Sequence, residues 1–185
     1  TTGDTIESKL KLDLVSAVRV SRVLESKGPI PKHGTTLKRN SPHKFTCLIS
    51  GKKKVLIYGN FPSEFSANIL ELISSEWGIK ISNDFEIANA VFKGEIRSFC
   101  GNPVQIRLEK LSQLLLDCSF EPEQFPGAII RFSYNSKATL NMYASGSIII
   151  TGINRLDFAA GDEYDEFTDL CNEILMDKSL YKIVQ

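Results

Sequence analysis

The chain has 185 residues, enough for one sizeable core or two small halves, and its 42% hydrophobic and 24% charged composition excludes wholesale disorder. No apolar run approaches the roughly 20 residues of a membrane-spanning helix, and residues 1–20 lack the layout of a signal peptide, so neither is expected. The formal net charge is zero, from 22 basic and 22 acidic residues, so the total does not announce a nucleic-acid binder.

Charge is unevenly shared along the chain. Residues 1–84 carry 13 Lys and Arg against 8 acids, and residues 85–185 carry 9 against 14. No acid occurs between Glu25 and Glu64, a stretch that holds eight bases from Lys27 to Lys54; from Asp157 to Asp177 there are eight acids and no base. Such asymmetry suggests one surface for a polyanion and another for a basic partner, or simply two solvated faces.

Taken in chain order, Leu12, Val15, Val18 and Val20 read as a short helix. Phe45 to Ile49 and Lys54 to Tyr58 read as strands closed by Gly51 and Gly59. An apolar stripe through Phe65, Ile69, Leu72 and Ile73 predicts a helix ending near Trp77-Gly78. Leu108, Leu111, Leu114 and Leu115 predict a second short helix. Strands follow at Ala128–Phe132, Ala138–Tyr143 and Ser147–Thr151, joined by Gly-containing turns as in an antiparallel meander. Tyr164, Phe167, Leu170, Cys171, Ile174 and Leu175 then mark a long helix with Asp162 as its expected N-cap. Gly59 and Gly152 are offset by 93 and Gly51 and Gly146 by 95, so the chain reads as two copies of one arrangement, residues 1–84 and 85–185.

The four cysteines lie far apart without a C-x-x-C pair and read as buried free thiols in a reducing compartment. His33 and His43 share one loop with no carboxylate or cysteine at metal spacing, and no phosphate-binding glycine loop or nucleophile motif is present. Neither an enzyme nor a cofactor or metal is expected.

Phe85-Glu86-Ile87-Ala88-Asn89-Ala90-Val91, Ile106-Arg107-Leu108-Glu109, Glu121-Pro122-Glu123-Gln124-Phe125-Pro126-Gly127, Ala144-Ser145-Gly146 and Ile150-Thr151-Gly152 follow one another in order. Together they resemble the core of the TATA-box-binding protein family, as a divergent member. Over the first copy the match shrinks to Lys11-Leu12-Asp13-Leu14, the Ser50-Gly51 turn and the spacing. The resemblance implies an α+β saddle: two pseudo-symmetric repeats forming one curved antiparallel sheet, helices on its convex side, its concave side on the DNA minor groove. Proteins of this kind, this family among them, drive apolar wedges between base steps and kink the duplex.

Carried over by position, the resemblance makes Phe125 and Tyr143 the wedges of the second copy. Asn89, Val91, Ile149 and Thr151 become base-facing groups, Arg131 a phosphate contact, and Asn141 a polar departure. In the first copy it sets Pro31 and Leu48 at the wedge positions, Leu56 and Tyr58 at base-facing ones, Lys38 or Arg39 in place of the phosphate arginine, and Thr1 where the partner asparagine belongs. Lys52-Lys53-Lys54 is expected on a turn two residues longer than its counterpart. Glu121 and Glu123 match the acids that meet transcription factor IIB. Glu64, Glu71 and Glu76 replace a basic surface that serves factor IIA, leaving a factor IIA-like partner open. Phe92 to Gln105 is expected as a lengthened loop.

The implied role is a general transcription initiation factor in the nucleus, binding promoter DNA with weakened TATA specificity within the RNA polymerase machinery. No membrane is involved, and pairing of two copies in the absence of DNA stays open. The alternative is a scaffold inside a promoter complex with little DNA binding of its own.

Overall fold

The computed structural model describes residue 10 and residues 12–51 and 53–184. The chain forms two compact units, one of residues 14–90 with Asn154–Leu156 and the other of residues 91–153 and 157–184 together with Asp13 and the described residues before it.

The first unit begins with β1 (Asp13–Ser26), a single long strand. β2 (Thr36–Arg39), β3 (Phe45–Ser50) and β4 (Lys54–Gly59) follow, then α1 (Ser66–Trp77) and β5 (Ile79–Ile81). The strand order is β2-β3-β4-β1, all antiparallel, with β5 also paired to β1. Alternation sends Phe45, Cys47 and Ile49 of β3 and Val55 and Ile57 of β4 into one core with Ile69, Leu70 and Ile73 of α1. Each such aliphatic side chain, fully buried, stabilises by about 1.5–3 kcal/mol before entropy is counted. Gly78, at φ 62°, ends α1 in the left-handed conformation that glycine adopts without strain.

The second repeat opens with β6 (Glu86–Glu95), β7 (Val104–Ile106), α2 (Leu108–Leu114) and β8 (Cys118–Ser119). It continues through β9 (Gly127–Arg131), β10 (Thr139–Tyr143), β11 (Ser147–Ile153), α3 (Asp162–Met176) and β12 (Tyr181–Ile183). The order is β6-β11-β10-β9-β8, and β12 pairs with β7. Leu140, Met142, Ile148 and Ile150 are fully buried, as are Phe167, Cys171 and Ile174 on the inner face of α3. Phe158, in the turn before α3, has the rings of Phe92, Phe132, Tyr164 and Phe167 around it at 5.5–6.4 Å.

Several sequence expectations are corrected here. The helix expected over Leu12–Val20 is the strand β1, with Ala17, Arg19, Ser21 and Val23 buried on one face. Arginine and serine at two buried positions hid the period of two, and the remaining valines mimicked a helical stripe. The connection from β1 to β2 contains no helix among its described residues, so the first unit lacks a counterpart of α2. Gly161, one residue before the expected Asp162, caps α3, and Asp162 starts the helix. Phe92 to Gln105 is no open loop: β6 runs to Glu95, Arg97 bridges Pro103, and β7 begins at Val104. Cys47 and Cys171 are buried as expected, but Cys118 is only partly so and Cys100 is exposed on the tight turn that closes this excursion.

Candidate nucleic-acid interface

Alternation fixes the candidate face as firmly as it fixes the core. In the β9-β10-β11 meander the residues between the buried positions form cross-strand rows. Arg131 stands opposite Thr139, which stands opposite Thr151; Ile129, Asn141 and Ile149 form the next row. The Thr139 and Thr151 hydroxyls share a hydrogen bond of 3.1 Å, which leaves each with capacity for a further partner. Beyond these rows the rings of Phe125 and Tyr143 lie 5.8 Å apart at 55°. Phe125 is held by the turn before β9, where the Gln124 and Phe125 N–H groups both donate to the Glu121 carbonyl. Glu121 and Glu123 are exposed on that turn. Six expected residues of the second copy therefore share one strand face: Phe125, Arg131, Asn141, Tyr143, Ile149 and Thr151. Asn89 and Val91 alternate in the same sense along β6, both half-buried.

The first unit builds matching rows. Lys38, Thr46, Tyr58 and Val18 lie in register across β2, β3, β4 and β1, and Thr36, Leu48, Leu56 and Val20 form the neighbouring row. Register makes the correspondence between copies concrete. Ile49 pairs with Val55 and Met142 with Ile148, so both hairpins close over the same number of residues. The expected two-residue lengthening around Lys53 is absent; Lys52 itself lies outside the described residues. The offset is 93 through the whole hairpin, and Gly51 does not occupy the place of Gly146. Leu56 and Tyr58 correspond to Ile149 and Thr151, as expected. Leu48, however, corresponds to Asn141, and Ser50 holds the place of Tyr143.

The same count assigns Lys38 to the place of Arg131. Arg39, the other candidate, forms an ion pair with Glu76 of α1 on the helix side. Pro31 is half-buried in the loop before β2, and Lys32 falls at the count of Phe125. β1 and β6 open with the same exposure pattern, which aligns Asp13 with Glu86 and Ser16 with Asn89. Ser16 thus stands at the place of Asn89, a position the sequence pattern alone did not assign to it. Thr1, expected in that role, and Lys11 of the matched motif lie outside the described residues. The detectable signal was Val15-Ser16-Ala17-Val18 against Ala88-Asn89-Ala90-Val91.

Beneath the first-unit face sits Arg19, where the second repeat has Phe92. It is 3% exposed, with its guanidinium carbon 4.1 Å above the Phe61 ring and Nη2 donating to the Phe61 carbonyl at 3.4 Å. Nη1 has no partner, and burial pulls the Arg19 pKa below its ordinary value. The Gly51 N–H donates to His33 Nδ1 at 3.1 Å, and the His43 ring meets Phe65 edge-on at 4.2 Å. Among the described residues no cluster of His, Cys, Asp or Glu is arranged to hold a metal ion.

Two α+β units with a repeated strand register, each setting hydroxyls, apolar side chains and basic residues on a single strand face, define a duplicated binding protein. Residues 84–160 match the family described as Transcription factor TFIID (or TATA-binding protein, TBP). The TATA-box-binding protein of Thermococcus sibiricus is 27% identical over 150 residues, 76% of this chain and 77% of that protein. TATA-box-binding protein 2 of Entamoeba histolytica is 31% identical over 156 residues, 80% of this chain and 68% of that protein. The solved structure titled Methanococcus jannaschii TBP shares the fold at a TM-score of 0.69 and 19% identity, covering 89% of this chain and 99% of that one. The chain belongs to the TATA-box-binding protein family, a family of transcription factors and not of enzymes.

Proposed function

We propose that this chain binds promoter DNA through the minor groove with the strand faces described above and acts as a general transcription initiation factor in the nucleus. The observation that carries the reading is the second-repeat face, where the Phe125–Tyr143 ring pair adjoins rows of threonine, asparagine and isoleucine flanked by Arg131. Apolar rings suit insertion between base steps, and hydroxyls and amides suit the acceptors of A·T pairs. Arg131 and Lys38 supply phosphate contacts, a term that is independent of sequence and falls with salt.

The two faces are unequal, and discrimination of TATA sequence is accordingly weakened. Ser50 offers no ring where Tyr143 does, and Ser16 has a shorter reach and fewer hydrogen-bonding groups than Asn89. Glu121 and Glu123, exposed beside the wedge, form the contact for a factor IIB-like protein. A factor IIA-like partner would meet a first-unit surface whose Glu76 is already paired to Arg39.

The test is titration of labelled A·T-rich duplex at two salt concentrations, with bending read by energy transfer. Bending is expected, and Phe125→Ala should reduce affinity about tenfold or more, about 1.4 kcal/mol or more, while Pro31→Ala changes it little. A steep salt slope without bending would favour a second reading, for which the first unit speaks by having Lys32 and Ser50 where the second has the Phe125–Tyr143 ring pair: a scaffold within a promoter complex with little DNA binding of its own.

A further inference from the structure

On the helix side of the second unit a groove of about 710 Å³ opens between α3 and the edge made by β9 and residues 115–117. Its floor is apolar, from Ile130, Phe132, Leu140 and Phe167. Its rim carries six acids, Asp117, Asp162, Asp165, Glu166, Asp169 and Glu173, against one base. That base, Arg131, alternates with Ile130 along β9 and so belongs to the opposite strand face.

Only Glu166 is engaged, accepting hydrogen bonds from the Ser133 N–H and hydroxyl at 2.8–3.0 Å. The other five have no ion-pair partner among the described residues. Asp165 repels Asp169, and Asp169 repels Glu173, at i,i+4 spacing. The helix dipole compensates only the acids of the first turn, which end at Asp165. Two large apolar side chains stand at the mouth of the groove instead of in the core: Leu116 is fully exposed and Tyr134 is 78% exposed. Uncompensated acids around an apolar floor, with unburied rings and aliphatics beside it, match one kind of occupant.

We propose that this groove docks a basic amphipathic segment of another protein, with lysines or arginines along α3 and apolar residues against Leu116, Tyr134 and the floor. The acids repel nucleic acid and anionic membranes from the same place. The proposal is independent of the DNA-binding face, which lies on the other side of these strands.

The test uses the full chain and a labelled peptide of leucine and lysine with helical periodicity, titrated by fluorescence anisotropy. Binding that weakens with salt is expected. Asp165→Lys with Asp169→Lys should lower affinity about tenfold or more. Leu116→Asp should also weaken binding although it adds an acid, because it removes apolar contact. Circular dichroism and melting confirm that these solvent-exposed changes leave the fold intact. No binding to the unaltered chain, undiminished affinity in the lysine double variant, or tighter binding to Leu116→Asp would each overturn the proposal, the last by reducing it to bare charge attraction.

Discussion

The first unit passes from β1 to β2 through residues 27–35, whereas the second places β7, α2 and β8 between β6 and β9. Past those connections the two units coincide: the same hairpin register, a long helix behind it, and buried aliphatics at matching positions. The contrast separates what the fold needs from what it tolerates. A hairpin register that slips by one residue would turn its apolar set to solvent, so it is held. A connection on the surface has no such constraint, and here the first unit's connection has no helix while its sheet keeps the same register. The candidate face follows the hairpin in position but not in residue type: where the second repeat has the Phe125–Tyr143 ring pair the first has Lys32 and Ser50, and where the second has Thr151 the first has the ring of Tyr58.

The largest expected effect tests that equivalence at its tightest point. Gly59 and Gly152 follow Tyr58 and Thr151 at corresponding positions. A Cβ on Gly152 would fall 2.0 Å from the Lys137 carbonyl oxygen at φ 80°, whereas one on Gly59 would fall 2.7 Å from the Lys44 carbonyl oxygen. Gly152→Ala should cost about 3 kcal/mol or more and Gly59→Ala about 2, measured by urea unfolding. The reverse order would break the correspondence.

Next comes the Arg19–Phe92 difference. Arg19→Leu removes a buried donor without a partner, a penalty of about 1–3 kcal/mol, and forfeits a cation–π contact of about 0.5–2 kcal/mol. The net expectation is a gain of about 1 kcal/mol in unfolding free energy. A clear loss would show that the guanidinium stabilises the first unit after all.

The smallest effects concern the thiols, one buried in each unit. Burial pushes Cys47 up to about 12 and Cys171 up as well, so both stay neutral near pH 7. Mass spectrometry after brief alkylation at neutral pH should find Cys100 modified first, then Cys118, with Cys47 and Cys171 modified only on unfolding. The associated stability is fully present below the unfolded thiol pKa and is lost as pH rises from there through the raised folded values, so stability should decline above roughly pH 8.5. Rapid modification of Cys47 in the folded chain would mean that the first-unit core opens more readily than the second.

Asp177 adds an opposite and exposed case. Hydrogen bonds from the Ser179 hydroxyl and N–H hold its carboxyl below the usual range, so its contribution is present above the ordinary carboxylate pKa and fades as acid is added.

Residue order alone determined the duplication, the α+β class, both hairpins, both long helices and the family, because period-two and helical stripes, glycine turns and the Glu121–Gly127 motif are local signals. It also picked out Phe125, Tyr143 and Arg131, which the fold brings onto one strand face of the second repeat. Tertiary structure alone decided that residues 13–26 form a strand, since Arg19 and Ser21 are buried by neighbours far along the chain. It likewise set Lys38 at the count of Arg131 and Ser50 at the count of Tyr143, and the exposure pattern of β1 set Ser16 at that of Asn89. The first two correspondences depend on cross-strand register, a pairing of distant residues that no local pattern records.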